Sequence, residues 1–267
     1  MKNYLSAFVC LLLSFHSALA QENWDAYTTK FGDKRGSVML DMNAIERAPD
    51  KNYPYLVITG PRAKNCDKDG FPANDEIDKL EEVLDGANNF LTGVTAKVLV
   101  ATFTYNCERL NYYYVKDTMN ARNALQRMYK RNFGDYDFAI NMKYEPDWST
   151  YRNFLYPDDT TITWMENARI IVKLRNQGID DSKETTITFL TYFKTEADRK
   201  NMADYALGKD FKIDMFKMKE GNNPYILKLS KAIFIKATVV NPIAVDIIAQ
   251  VRKYNGVYDA WDAINAK

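Results

Sequence analysis

The chain's densest set of potential oxygen ligands is Asn65, Asp67, Asp69 and Glu76, grouped around Gly70. If Gly70 takes the sixth place of a twelve-residue calcium loop, these four fall at places one, three, five and twelve, where a hard cation needs oxygens. Two features oppose that reading. Strand-like residues lead into the loop where a helix is required, and Pro72 removes an amide the loop would pair. The competing reading is a solvated turn in which Gly70 takes a positive φ and Pro72 opens a helix. The turn is adopted, so the sequence calls for no metal and no cofactor.

A second constellation is Glu145, Asp147, Asp158 and Asp159 beside Trp148, Tyr151 and Trp164. Paired carboxylates next to aromatic rings are the equipment of a glycosidase, provided two of them stand about 5 to 9 Å apart. The same acids serve equally well as caps, Asp147 before one helix and Asp158 and Asp159 before the next. Phe103, Tyr105, Tyr112, Tyr113 and Tyr114 could stack bases or sugars. Strand alternation sends Tyr112 and Tyr114 to one face and Tyr113 to the other, so at least one set fills core. At the C-terminus Tyr258, Asp259 and Trp261 offer partner contacts, or else pack back on their own domain. No P-loop, G-x-G-x-x-G or G-x-S-x-G motif occurs.

What most restricts the chemistry is the first stretch of the chain. Lys2, the apolar run Leu5 to Phe15 and Ala18-Leu19-Ala20 have the order of an export signal, so residues 1–20 are expected to be a signal peptide and Gln21 the mature start. Cleavage there removes His16, the sole histidine, and Cys10. Histidine-dependent triads and histidine-ligated zinc are then excluded from the mature protein. Two cysteines remain, and in an oxidising compartment a Cys66 to Cys107 disulfide is expected, the alternative being two buried free thiols. The closed loop of about 40 residues is worth roughly 4 kcal/mol in the chain-entropy model. There are 36 Lys and Arg against 35 Asp and Glu, equal once Lys2 is gone, so no overall field draws in nucleic acid. No apolar run beyond the leader reaches membrane-spanning length, and no membrane insertion is expected.

The elements that position these residues are strands alternating with single helices. Trp24 to Phe31 and Ser37 to Asn43 read as a hairpin, Tyr53 to Thr59 as a strand ended by Gly60-Pro61, and Asn74 onward as an amphipathic helix. Thr95 to Tyr105 and Arg109 to Val115 form a second hairpin, Thr118 to Tyr129 a helix and Tyr136 to Met142 a strand. Trp148 to Leu155 reads as a short helix, with the domain boundary just beyond it. A helix over 163–176 follows. Thr185 to Phe193, Glu196 to Leu207, Phe211 to Met218, Tyr225 to Ile235 and Ala244 to Tyr254 then give strand, helix, strand, strand, helix. That order is most of a ferredoxin-like split unit. The expected fold is α+β: two α/β-sandwich domains with mostly antiparallel sheets, 21–158 and 159–267, the C-terminal one ferredoxin-like.

Two resemblances add to this. Residues 53–157 resemble the bacterial domain of unknown function 695, through Gly70-Phe71-Pro72, Tyr112-Tyr113-Tyr114, Glu145-Pro146-Asp147-Trp148, Tyr151 and Leu155-Tyr156-Pro157. Residues from about 178 to 261 are similar to the regulator of ribonuclease E activity B family, through Gly178-Ile179-Asp180-Asp181, Tyr192-Phe193, Pro224-Tyr225 and Gly256-Val257-Tyr258-Asp259-Ala260-Trp261. The second resemblance implies a ferredoxin-like fold and a protein that inhibits a cytoplasmic endoribonuclease by direct binding. This chain departs from that pattern where Ala260 replaces the usual glycine, and in its export signal. The fold therefore transfers and the partner does not.

The sequence thus describes an exported, non-catalytic binding or regulatory protein of the periplasm or extracellular space, acting through contacts with a protein partner. The rivals are a carboxylate-based envelope hydrolase and, for a chain retained in the cytoplasm, a ribonuclease-inhibitor-like regulator.

Overall fold

The structure is a computed structural model and describes residues 22–264; the expected signal peptide lies outside these residues. The described residues form two compact units, divided between Tyr156 and Pro157.

In the first unit β1 (Trp24–Phe31) and β2 (Lys34–Asp41) form a hairpin. There follow β3 (Tyr55–Pro61), α1 (Ile77–Thr92), β4 (Lys97–Tyr105), β5 (Glu108–Val115), α2 (Ala121–Asn132) and β6 (Phe138–Tyr144). The six strands lie in the order β1-β2-β4-β5-β3-β6, antiparallel throughout. From β3 onward the sequence of elements is βαββαβ, and its strands stand β4-β5-β3-β6. This is the ferredoxin-like arrangement, with the β1–β2 hairpin added along the β4 edge. The sequence had pointed to it in the C-terminal half alone; it is present in both.

Alternation along the strands builds two cores in this unit. Val57 and Tyr113 face the helices, where they pack with Val83, Leu91, Leu125 and Met128. Leu56, Tyr112 and Tyr114 face the other way and are covered by Trp148, Tyr151 and Leu155. The covering segment differs from the α-helix expected over 148–155. Trp148 adopts a φ of +54°, and a π-helical turn runs over Thr150–Leu155. The indole of Trp148 lies flat on the Tyr114 ring, centroids 4.0 Å apart, and its N–H donates to the Tyr53 carbonyl at 3.0 Å. Fitting that ring against the sheet sets the backbone, and helical periodicity cannot express such a constraint.

The second unit opens with α3 (Asp159–Asn176), capped by Asp158, whose carboxylate accepts from the Thr161 amide. Then come β7 (Glu184–Phe193), α4 (Glu196–Leu207), β8 (Lys212–Met218), β9 (Tyr225–Phe234), α5 (Ala237–Lys253) and β10 (Val257–Ala263). Strand order β10-β7-β9-β8 with antiparallel pairing is again the ferredoxin-like arrangement. Its core sets Ile187, Phe189, Phe193, Leu227 and Leu229 of the sheet against Met202, Ala206, Val240, Ala244 and Ile247 of the helices. Three elements extend beyond the sequence reading, the first being α3, which starts four residues before Thr163. α5 starts seven residues before Ala244 because Pro242 lies inside its second turn, where it removes one hydrogen bond without ending the helix. The segment after α5, read as a tail, is the fourth strand. Among the described residues no helix is long and apolar enough to cross a membrane.

Candidate interaction site on the closing strand

β10 is the edge strand of the second sheet, paired with β7 from Val257↔Tyr192 to Ala263↔Ile187. The turn that delivers it is tight: a Cβ on Gly256 would stand 2.4 Å from the Phe193 ring. The register slips between Tyr258 and Ala260, so Asp259 is an extra residue pushed out of the ladder. Its carboxylate is exposed and accepts from the Tyr192 hydroxyl at 3.3 Å. The bulge turns Tyr258 toward the helices, where its ring sits half-buried near Phe189.

Trp261 sits differently. It is 3% exposed and belongs to the core. Its indole N–H donates to Asn167 Oδ1 at 2.7 Å, and Asn167 Nδ2 donates to Asn241 Oδ1 at 3.0 Å. β10, α3 and α5 are thereby tied through one buried amide. Of the three residues proposed from sequence as partner contacts, Tyr258 and Asp259 reach the surface, while Trp261 holds the strand from behind.

α3 supplies the facing wall. Thr163, Glu166, Asn167 and Ile170 recur at helical spacing and, with β10, enclose two adjoining hollows of about 280 and 350 Å3 that share Thr163, Glu166 and Tyr258. Burial, then the nearby Glu166 and Asp259 charges, push the Tyr258 hydroxyl well above its ordinary pKa, so it stays a neutral donor. Arg252 of α5 closes one end by pairing with Asp159 at 2.7 Å. Thr163 donates its hydroxyl to the Asp159 carbonyl, so it is not poised as a nucleophile. The site offers hydrogen-bonding groups and shape. Sequence reasoning named the β10 residues and did not name Thr163, Glu166 and Asn167, although their polar side chains recur on one face of α3.

The other sequence candidates have structural duties. Glu76 is buried, and its two carboxylate oxygens accept from the Lys64 and Asn65 amides at 2.8 and 2.7 Å. Asp67 accepts from the Asp69 and Phe71 amides, both at 2.9 Å. The loop is therefore organised around its own backbone. Gly70 has φ +85°, and a Cβ there would meet the Asn106 backbone at 3.0 Å. Cys66 and Cys107 form a disulfide, Cα atoms 5.8 Å apart, joining this loop to the β4–β5 turn.

Glu145 is 5% exposed. Burial opposes its charge, but hydrogen bonds from Lys143, Tyr114, Thr150 and Ser149 outweigh it and hold the carboxyl at about 2. A glycosidase acid needs the opposite, a carboxyl raised toward neutrality. Asp147 accepts from the Ser149 amide at 3.4 Å, Asp158 caps α3 and Asp159 pairs with Arg252. Tyr112, Tyr113 and Tyr114 are all core residues, which removes the stacking platform.

Residues 164–263 match the family described as regulator of ribonuclease activity B. No curated protein matches the chain in sequence. One solved structure, described as the crystal structure of an unknown protein from Galdieria sulphuraria, aligns over 79% of this chain and 98% of its own at 7% identity and a TM-score of 0.21. Residues 22–156, which hold the buried Glu145 and the Trp148 stack, match the family of unknown function DUF695, and the chain belongs to that family.

Proposed function

We propose that the protein is an exported, non-catalytic regulator whose second unit binds a protein partner across β10 and α3. The observation that carries this reading is the bulge at Asp259. It sets an exposed carboxylate beside a hollow walled by Tyr258, Thr163 and Glu166, on an edge strand. Edge strands with a bulge and a side-chain pocket are a recurring means of protein recognition. Support also comes from the match to a family of ribonuclease regulators over the same residues. Export rests on the leader read from sequence and on the Cys66–Cys107 bond, which oxidising compartments favour and the cytoplasm reduces. A partner outside the cytoplasm follows.

The test is a pull-down from envelope extract with residues 21–267, using the native chain and a Tyr258→Ala, Asp259→Lys variant. A protein retained by the native chain and lost from the variant is expected. Equal retention by both would move the contact elsewhere. Fractionation showing the uncleaved chain in the cytoplasm would overturn export.

A further inference from the structure

Charge is balanced over the whole chain but not along its elements. α2 carries Arg122, Arg127, Lys130 and Arg131 and no acid. Arg122 donates to the Ile140 carbonyl at 3.0 Å. The other three are exposed, and among the described residues none pairs with a carboxylate. Arg127 stands three and four residues before Lys130 and Arg131, so the three cations share one face and repel each other. Two of them fall in the last turn, where the helix dipole gives partial relief; Arg127 lies a turn away from it.

This face forms one wall of a groove of about 720 Å3. Phe90, near the C-terminal end of α1, faces it across the groove. Three acids of α1, Asp78, Glu81 and Glu82, lie in its first half and Asp85 just past its midpoint, and Glu81 and Glu82 are already paired with Arg109 and Lys79. Asn88, Asn89 and Phe90 follow, neutral and partly apolar. Phe90 is 41% exposed in the groove and Met128 is buried at its floor. One side of the groove is thus cationic and unpaired, and the bottom is apolar.

We propose that this groove receives an acidic segment of a protein, with carboxylates on Arg127, Lys130 and Arg131 and one apolar side chain seated between Phe90 and Met128. Guanidinium groups match carboxylates in a bidentate manner, and a buried aromatic or aliphatic anchor beside such pairs is the usual core of a protein contact. Concavity is what favours a protein over a lipid surface. A membrane-binding face must project its apolar residues into the bilayer, whereas Phe90 lines a depression. A single-stranded nucleic acid would need several stacking rings along the cationic track, and among the described residues Phe90 is the one aromatic lining this groove. The site is built from residues of the first unit alone, and the β10 surface from residues of the second.

The test uses the full mature chain and a fluorescein-labelled oligoglutamate peptide bearing one central phenylalanine. Binding is expected to weaken as salt rises. It should fall about tenfold or more in Arg127→Glu, Arg131→Glu and by a similar factor in Phe90→Ser, as a hot-spot loss would. All three positions are exposed, so melting curves should stay unchanged and exclude unfolding as the cause. Equal affinity for an all-glutamate peptide, or insensitivity to either variant, would overturn the proposal. So would tighter, Arg127-dependent binding to phosphatidylglycerol vesicles or to a single-stranded oligonucleotide, by making the site a membrane or nucleic-acid contact.

Discussion

The Trp261 indole N–H is held by the Asn167 side chain at 2.7 Å, and this buried contact fixes the last strand of the second unit to the helix that precedes its first. Asn167→Ala leaves the indole N–H and the Asn241 amide without their partner. The expected cost is about 1–3 kcal/mol. Trp261→Phe should cost less in the Asn167→Ala background than in the native one, with a coupling on the order of 1 kcal/mol by urea unfolding. Additive losses would show that the bond carries no net stability.

Glu145 makes the first unit acid-sensitive. Its carboxyl titrates at about 2 in the folded protein against 4.5 for the free group. The stabilisation is fully present above pH 4.5 and is lost as pH falls toward 2. The difference corresponds to about 3 kcal/mol. Glu145→Gln should therefore melt lower than the native protein at neutral pH, and the gap should narrow below pH 4.5. A gap that stays constant down to pH 2 would mean that the charge is not what stabilises.

Gly60 lies inside β3, where the sequence placed the end of the strand. A Cβ there would come 2.1 Å from the Arg109 carbonyl oxygen, a backbone atom that cannot swing aside. Gly60→Ala is expected to destabilise by about 2 kcal/mol or more. A melting temperature within a degree of native would contradict the close approach of β3 and β5.

Removing the disulfide by Cys66→Ser, Cys107→Ser should cost about 4 kcal/mol if the entropy of the open loop sets its worth. The native chain should resist alkylation until a reductant is added. Two alkylated cysteines in the untreated mature protein would contradict the bond.

The parts of the fold legible in the sequence are those with a short-range period. The strands of both units other than β10, and the helices α1 and α2, follow their apolar spacing. What stayed hidden depended on distant partners. β10 resembled a tail because Asp259 interrupts its alternation, and the pairing that makes it a strand is with β7, some 70 residues earlier. Trp148 was visible as an aromatic, but its positive φ answers to the Tyr114 ring beneath it. In the candidate site Tyr258 and Asp259 were legible as residue types near a terminus. Trp261 looked the same in sequence, and it faces inward among the core side chains with Asn167 accepting its indole N–H.

One topology occurring twice in a single chain has a consequence for folding. Tandem units of like topology are prone to exchange strands with each other while both are incomplete, a common route to misassembly. Here the two βαββαβ units share strand order without sharing a recognisable sequence repeat. Each also carries something the other lacks: the β1–β2 hairpin and the Cys66–Cys107 clamp in one, α3 with its Asn167 anchor in the other. These additions act as identity marks, so that a strand docking in the wrong unit finds neither its clamp nor its anchor.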